Sequence, residues 1–350
     1  MRPTTATLTA IRLCIGLLIG AAGSGAAFAQ ARTPVTLYTS VETDQLSVLK
    51  AEIEKDLPDI EVKWVRDSTG VITARVLAER ASPRADMIFG LAATSLLLFA
   101  RTDLLEPYRP RGAEELKPAF RDDSAAYRWT GMDAYVAAIC FNRDEARAVG
   151  APAPARWRDL LHPSLRQRIV MPHPASSGTG FLLVAGWIQM MGEEAAWTFM
   201  ESLHENVALY THSGSAPCVQ AARGERVIGL SFDMRGARER AQGAPIEVIV
   251  PEDGAGWEME AFALVRDRPK AQSDAARRIA DWAASRRANE LYARFYAVVA
   301  HRDVRNRPPH YPPQVEERML RSDFSWMAQN RDRILTEWSR RFDSRLPGAR

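Results

Sequence analysis

Between Pro174 and Gly180 the chain reads Pro-Ala-Ser-Ser-Gly-Thr-Gly, and an apolar run over 181–191 follows at once. Serine, threonine and glycine at a helix start leave backbone N–H groups free. They add hydroxyl donors and set no bulky side chain in front of them, which is the make-up of an anion site. The same residue types also serve as ordinary helix caps. Three other short loops carry related chemistry: Ser40-Val41-Glu42, Asp67-Ser68-Thr69-Gly70 and Gly90-Leu91-Ala92-Ala93-Thr94. Their hydroxyl and N–H donors suit an anion, whereas Glu42, Asp67 and Asp233 suit a cation. A solute carrying one end of each sign satisfies both sets, so that each buried polar atom finds a partner.

Templates for catalysis fail on this chain. It has no Gly-x-Ser-x-Gly elbow, no His-Glu-x-x-His and no Walker loop with its lysine. His173 and His212 lie near the candidate loops, and Ser177 with His212 could mimic a nucleophile and base. No third group is placed by the sequence to orient that histidine. A secreted hydrolase is therefore the remote alternative.

The elements that must position these loops alternate regularly. Residues 35–40, 60–65 and 86–89 read as strands, and 44–55, 71–80 and 93–101 as helices, from period-2 and 3.6-residue spacing respectively. The order βαβαβα predicts a parallel sheet with helices on both faces, and in such sheets ligands bind outside the carboxyl ends of the strands. A second α/β block has strands at 169–171, 227–232 and 246–250. Two long extended segments, 129–142 and 257–265, bracket it, as when a chain crosses to a second lobe and returns through two hinge strands. A final helix is expected over 326–342. The proline-rich stretches near 152–154 and 308–313 read as loops, and the chain shows no internal repeat.

Arg2 and Arg12, an apolar run over 13–18 and Ala27-Phe28-Ala29 form a secretory signal peptide, residues 1–29. Cys14 lies inside its apolar core without a lipobox. No later apolar run approaches the ~20 residues a membrane span needs. About 320 residues remain, enough for two ordinary domains. The lobes are predicted as 34–134 with 266–350, and 135–265. Removing Arg2 and Arg12 from the +3 chain leaves a formal charge of about +1, which gives no electrostatic case for nucleic acid. Two cysteines, Cys140 and Cys218, survive processing, and an oxidising compartment favours their pairing as a disulfide.

Several segments resemble periplasmic substrate-binding proteins of ABC transporters, in the branch that includes ferric-ion receptors, and look more closely like the 2-aminoethylphosphonate-binding proteins. The segments are Tyr38-Thr39-Ser40-Val41-Glu42, Trp64-Val65-Arg66-Asp67-Ser68-Thr69-Gly70, Gly90-Leu91-Ala92-Ala93-Thr94-Ser95, Ala138-Ile139-Cys140-Phe141-Asn142, 171–181 and Tyr210-Thr211-His212-Ser213-Gly214-Ser215. They run through nearly all of the mature chain. The resemblance implies an α/β, two-lobed, type II periplasmic binding protein with its ligand cleft between the lobes. It implies a receptor, not an enzyme, that delivers 2-aminoethylphosphonate to an ABC permease in the inner membrane. No cofactor, metal or nucleic acid is expected, and a monomer is. Another small anion or a ferric ion is the alternative ligand. The iron receptors carry adjacent tyrosines after the strand that here ends at Phe232; this chain has Asp233-Met234 there and no Tyr-Tyr pair.

On that resemblance the phosphonate sits at the helix start, held by Ser176, Ser177, Gly178 and Thr179, with Ser40, Ser68, Thr69 and Ala93 approaching from the other lobe. Glu42 or Asp233 would face the ammonium group, with Asp67 and Asp133 in reserve, because a carboxylate suits a charge-assisted bond to nitrogen. Tyr210 would close over the ethyl linker.

Overall fold

A computed structural model describes residues 31–305 and 308–345; the predicted leader lies outside these residues. From Arg32 onward the chain forms one compact unit. The first block alternates as expected: β1 (Thr33–Thr39), α1 (Thr43–Asp56), β2 (Ile60–Arg66), α2 (Thr69–Ala78), β3 (Met87–Ala92) and α3 (Ala93–Ala100). The long strand β4 (Thr130–Asn142) leads through α4 (Arg143–Val149) to β5 (Ile169–Pro172), α5 (Gly178–Met191), α6 (Glu193–His204) and β6 (Val207–Thr211). Then follow α7 (Ala216–Ala222), β7 (Ile228–Phe232), α8 (Asp233–Ala241), β8 (Ile246–Ile249) and β9 (Trp257–Leu264). The chain finishes with α9 (Lys270–Ala284), α10 (Arg286–Tyr292), the short β10 (Val298–Val299) and α11 (Phe324–Phe342).

These strands make one ten-stranded sheet in the order β2-β1-β3-β9-β4-β7-β5-β6, with β10 and β8 also paired to β4. Both flanks are parallel: β1 with β2 and β3, and β5 with β6 and β7. The centre is antiparallel. Residues 130–136 of β4 pair with β9, and residues 137–142 pair with β7 and β8. β4 thus runs through both halves of the sheet, and all 13 of its residues are buried, as expected for a strand covered on both faces. The other predicted crossing segment behaves differently. β9 pairs with β3 and with the first half of β4, so its ladder joins it to the first block, although the sequence boundary at 265 groups it with the second.

Helix α5 is buried on every side from Thr179 to Ile188, which fits its continuous apolar sequence. Its Trp187 packs edge-on against Trp157 and Phe199, with ring centroids 5.4 and 5.1 Å away. Each such fully buried side chain contributes about 1.5–3 kcal/mol through the apolar surface it removes from water. The core therefore holds the N-terminus of α5 in a fixed place. Cys140 on β4 and Cys218 on α7 form a disulfide, with their Cα atoms 5.3 Å apart. Among the described residues no helix is long and apolar enough to cross a membrane.

Candidate functional site

A cavity of about 40 Å³ opens where the carboxyl ends of the strands from the two halves meet. One wall carries Ser40 after β1, Glu42 before α1, Arg66 at the end of β2, and Ser68 and Thr69 at the start of α2. The facing wall carries Ser177, Gly178 and Thr179 at the start of α5, with Ser213 and Gly214 after β6. Tyr135, Phe232, Glu260 and Tyr296 complete the lining.

Local chemistry explains each placement. Gly90 has φ +63°, and a Cβ there would lie 2.1 Å from Val41 Cγ2, so only glycine lets this turn close on β1. Its carbonyl accepts both the N–H (3.1 Å) and the Oγ–H (3.0 Å) of Ser40. Ser177 caps α5: its Oγ accepts the N–H of Gly180 at 3.2 Å. The N–H groups of Gly178 and Thr179 find no partner among the described residues, as the first turn of a helix requires unless a ligand supplies one. Ser68 precedes α2 without a side-chain cap bond. Two helix N-termini therefore point their positive ends and free donors into one small space. They come close: a Cβ on Gly178 would lie 2.6 Å from Thr69 Oγ1.

Charge is divided across the cavity. Arg66 donates from Nε to the Val41 carbonyl (3.2 Å) and lies 3.8 Å from Glu42. Glu42 is neutralised further by an ion pair with Arg235. Glu260 is different. It is 7 % exposed, faces the cavity and has no ion pair among the described residues. Burial, then the charge of Glu42, push its carboxyl up to about 8, against the pull of Tyr296 and Arg66. Opposite it on β4 stands Asp133, fully buried, with neither carboxylate oxygen hydrogen-bonded. Burial and the neighbouring Glu260 and Asp233 hold the Asp133 carboxyl well above its usual range.

Of the residues singled out in the sequence, Ser40, Glu42, Ser68, Thr69, Ser177, Gly178 and Thr179 come together on this cavity. Six do not line it, the reserve carboxylates Asp67 and Asp133 among them. Asp233 is 1 % exposed and accepts the N–H groups of Val136 (3.0 Å) and Met234 (2.8 Å), so it ties α8 to β4. Burial first of all pushes it up to about 7. Tyr210 turns away to His204 Nδ1 at 2.9 Å and packs on Trp338 of α11, ring centroids 5.5 Å apart. Ser176 spends its hydroxyl on the carbonyl of His212 (3.0 Å). Ala93 is buried where β3 turns into α3. Nor does His212 pair with Ser177: its Nε2 lies 3.0 Å from Asp67 Oδ1.

Arg66, Ser213 and Gly214 lie inside segments that carried the resemblance but were given no role. Tyr135, Phe232, Glu260 and Tyr296 were missed. A signal existed for one of them: Trp257-Glu258-Met259-Glu260 sets two carboxylates at alternate positions of an otherwise apolar strand, and such charges need a reason when buried.

A two-block α/β frame with polar loops from both blocks around one cleft defines the class: a two-lobed, type II solute receptor. The chain belongs to the bacterial extracellular solute-binding protein family, whose model matches residues 82–324. A Haemophilus influenzae protein described as uncharacterized is 31% identical over 278 residues, 79% of each chain. A probable ABC transporter periplasmic-binding protein, y4fP of Sinorhizobium fredii, is 24% identical over 246 residues, 68% of this chain and 66% of its own. The structure of AfuA from Actinobacillus pleuropneumoniae, with fructose-6-phosphate bound, superposes with a TM-score of 0.83 at 24% identity, over 89% of this chain and 99% of that one. The protein is thus a bacterial extracellular solute-binding protein, and not an enzyme.

Proposed function

We propose that this receptor works in the periplasm, after removal of its leader, and captures 2-aminoethylphosphonate or a closely related small phosphonate for the permease of its importer. One observation carries this reading: the donor-rich starts of α2 and α5 face each other across a cavity whose lining also presents Glu260, a carboxylate with no ion pair among the described residues. The phosphonate oxygens take the N–H groups of Gly178 and Thr179 and the hydroxyls of Ser68, Thr69 and Ser177, with Arg66 supplying a full positive charge. The ammonium group faces Glu260 and not Glu42 or Asp233, because those two are already committed to Arg235 and to backbone N–H groups. Tyr135 and Tyr296 flank the short linker.

A second reading, a sugar phosphate, is favoured by the fructose-6-phosphate bound to AfuA. It shares the anion end. It leaves Glu260 facing a neutral polyol, with which the carboxylate forms no ion pair. Ferric ion fits worse, since the position after Phe232 holds a buried, committed Asp233 where the iron receptors carry tyrosines. A thermal-shift panel of phosphonates, sugar phosphates and ferric citrate tests the assignment, since a solute bound only by the folded state raises the melting temperature. The largest rise should come from 2-aminoethylphosphonate; a larger rise with fructose-6-phosphate would move the assignment to the second reading.

A further inference from the structure

Asp133 and Glu260 stand directly opposite each other on the antiparallel strands β4 and β9, beside a bulge where the register shifts between Gly131 and Asp133. Directly opposed residues share a face of the sheet and bring their Cβ atoms to roughly 5 Å. Asp133 is 0 % exposed and Glu260 7 %. Two like charges so placed, out of water, oppose each other's ionisation. The surroundings do little to help. Tyr296, Tyr292 and Tyr135 are phenols that burial keeps neutral, and so is Tyr311, which also interacts with Asp133. Glu42 and Asp233 add negative charge. Among the charged groups that face the pair, Arg66 is the cation, and it is shared with Glu42.

A buried carboxylate pair with one member on the wall of a cavity is costly to ionise unless something positive enters, since a buried charge is tolerated when paired. We propose that Glu260, backed by Asp133, forms a subsite for a primary ammonium group, and that this carboxyl pair gives a proton to solvent when that group arrives. The proposal rests on the zwitterionic reading of the ligand above. In the free receptor the pair is kept neutral by protons. As the ammonium enters, the O–H bond of Glu260 breaks, its proton passes to buffer, and the resulting carboxylate accepts an N–H bond from the ligand. Asp133 does not touch the cavity; it acts through Glu260, raising the proton affinity of the site. This makes discrimination sharp: an uncharged end cannot displace the proton, so such a solute meets a neutral carboxyl and gains no ion pair.

Calorimetric titration of the whole protein with 2-aminoethylphosphonate, near pH 7.5 in buffers of differing ionisation enthalpy, tests this. A carboxyl near 8 is mostly protonated there, so roughly half to one proton should be released per ligand bound, fading as the pH approaches 9.5. Glu260→Gln should abolish that release with the same ligand, whose own ionisation cancels in the comparison. Asp133→Asn should move the fading to lower pH. Binding heats that do not depend on the buffer would overturn the proton exchange while leaving the zwitterion reading intact. No binding in any buffer would overturn both. The wild-type buffer series decides the matter even where a variant fails to fold.

Discussion

The backbone N–H of Gly70 donates to the carbonyl of Ser176 at 2.9 Å, joining the first turn of α2 to the segment before α5 across the cavity mouth. A Cβ on Gly70 would lie 2.0 Å from the Ala175 carbonyl oxygen, closer than any real contact allows. The Asp67–His212 contact lies beside it, and the Glu42–Arg235 pair joins α1 to α8 farther along. Closure of such a receptor on its solute depends on contacts of this kind.

Gly70→Ala separates closure from folding. Alanine favours the helix by about 0.5–1 kcal/mol over glycine, so the solute-free protein should be as stable as the parent or slightly more so. Affinity should fall at least tenfold, ~1.4 kcal/mol, because the two helix starts cannot meet. Titration and thermal melting of the same sample check both; unchanged affinity would show that the contact is not needed for binding.

Ser177→Ala removes a cap and a ligand donor together. Loss of the bond from Gly180 should cost about 1 kcal/mol of stability, read by urea denaturation. Loss of a buried hydroxyl against the anion should weaken binding by about 1–3 kcal/mol. A variant that is less stable but binds equally well would leave Ser177 a cap alone.

Asp233 should give stability a pH dependence. Its carboxyl rises from the ordinary 3.8 to about 7 in the folded protein, through burial. Below 3.8 the group is neutral in both states. Between 3.8 and 7 the unfolded chain gives up a proton that the folded one keeps, so stability falls by about 1.4 kcal/mol per pH unit from this group, then levels off. Asn at 233 keeps an oxygen for the N–H groups of Val136 and Met234 but does not ionise. Asp233→Asn should therefore gain on the parent from pH 5 to pH 8 in urea midpoints; a constant gap would contradict the assignment.

Much of this architecture was legible because it rests on local rules. Alternating strand and helix periods gave β1 through α3 in the right order with ends within about three residues, and the Ser-Ser-Gly-Thr-Gly run marked the start of α5. The anion half of the cavity followed, since strand ends and helix starts are sequence-local. Its other half was not legible. Glu260, Tyr135 and Tyr296 meet only through the pairing of β4 with β9 and the packing beyond α10, and the carboxylates of β9 hint at burial without saying what they meet. Asp233 shows the converse: its position after β7 looked like a site, yet the same strand end aims it at the backbone of β4. Tyr210 was drawn away by the aromatic cluster of α11, whose docking no local pattern foretells.

The disulfide between Cys140 and Cys218 clamps β4 to α7. Replacing both by serine should cost about 2–5 kcal/mol, seen as a lowered urea midpoint that added reductant does not lower further. An unchanged midpoint would mean that the buried surroundings alone hold these elements together.

The most direct test of the zwitterion-clamp account is calorimetric titration of the wild-type receptor with 2-aminoethylphosphonate, propylphosphonate and inorganic phosphate at one pH. 2-Aminoethylphosphonate should bind at least a hundredfold more tightly than either, ~2.7 kcal/mol, because it alone fills both the donor-rich helix starts and the carboxylate wall. Equal affinity for propylphosphonate, or tighter binding of bare phosphate, would contradict it.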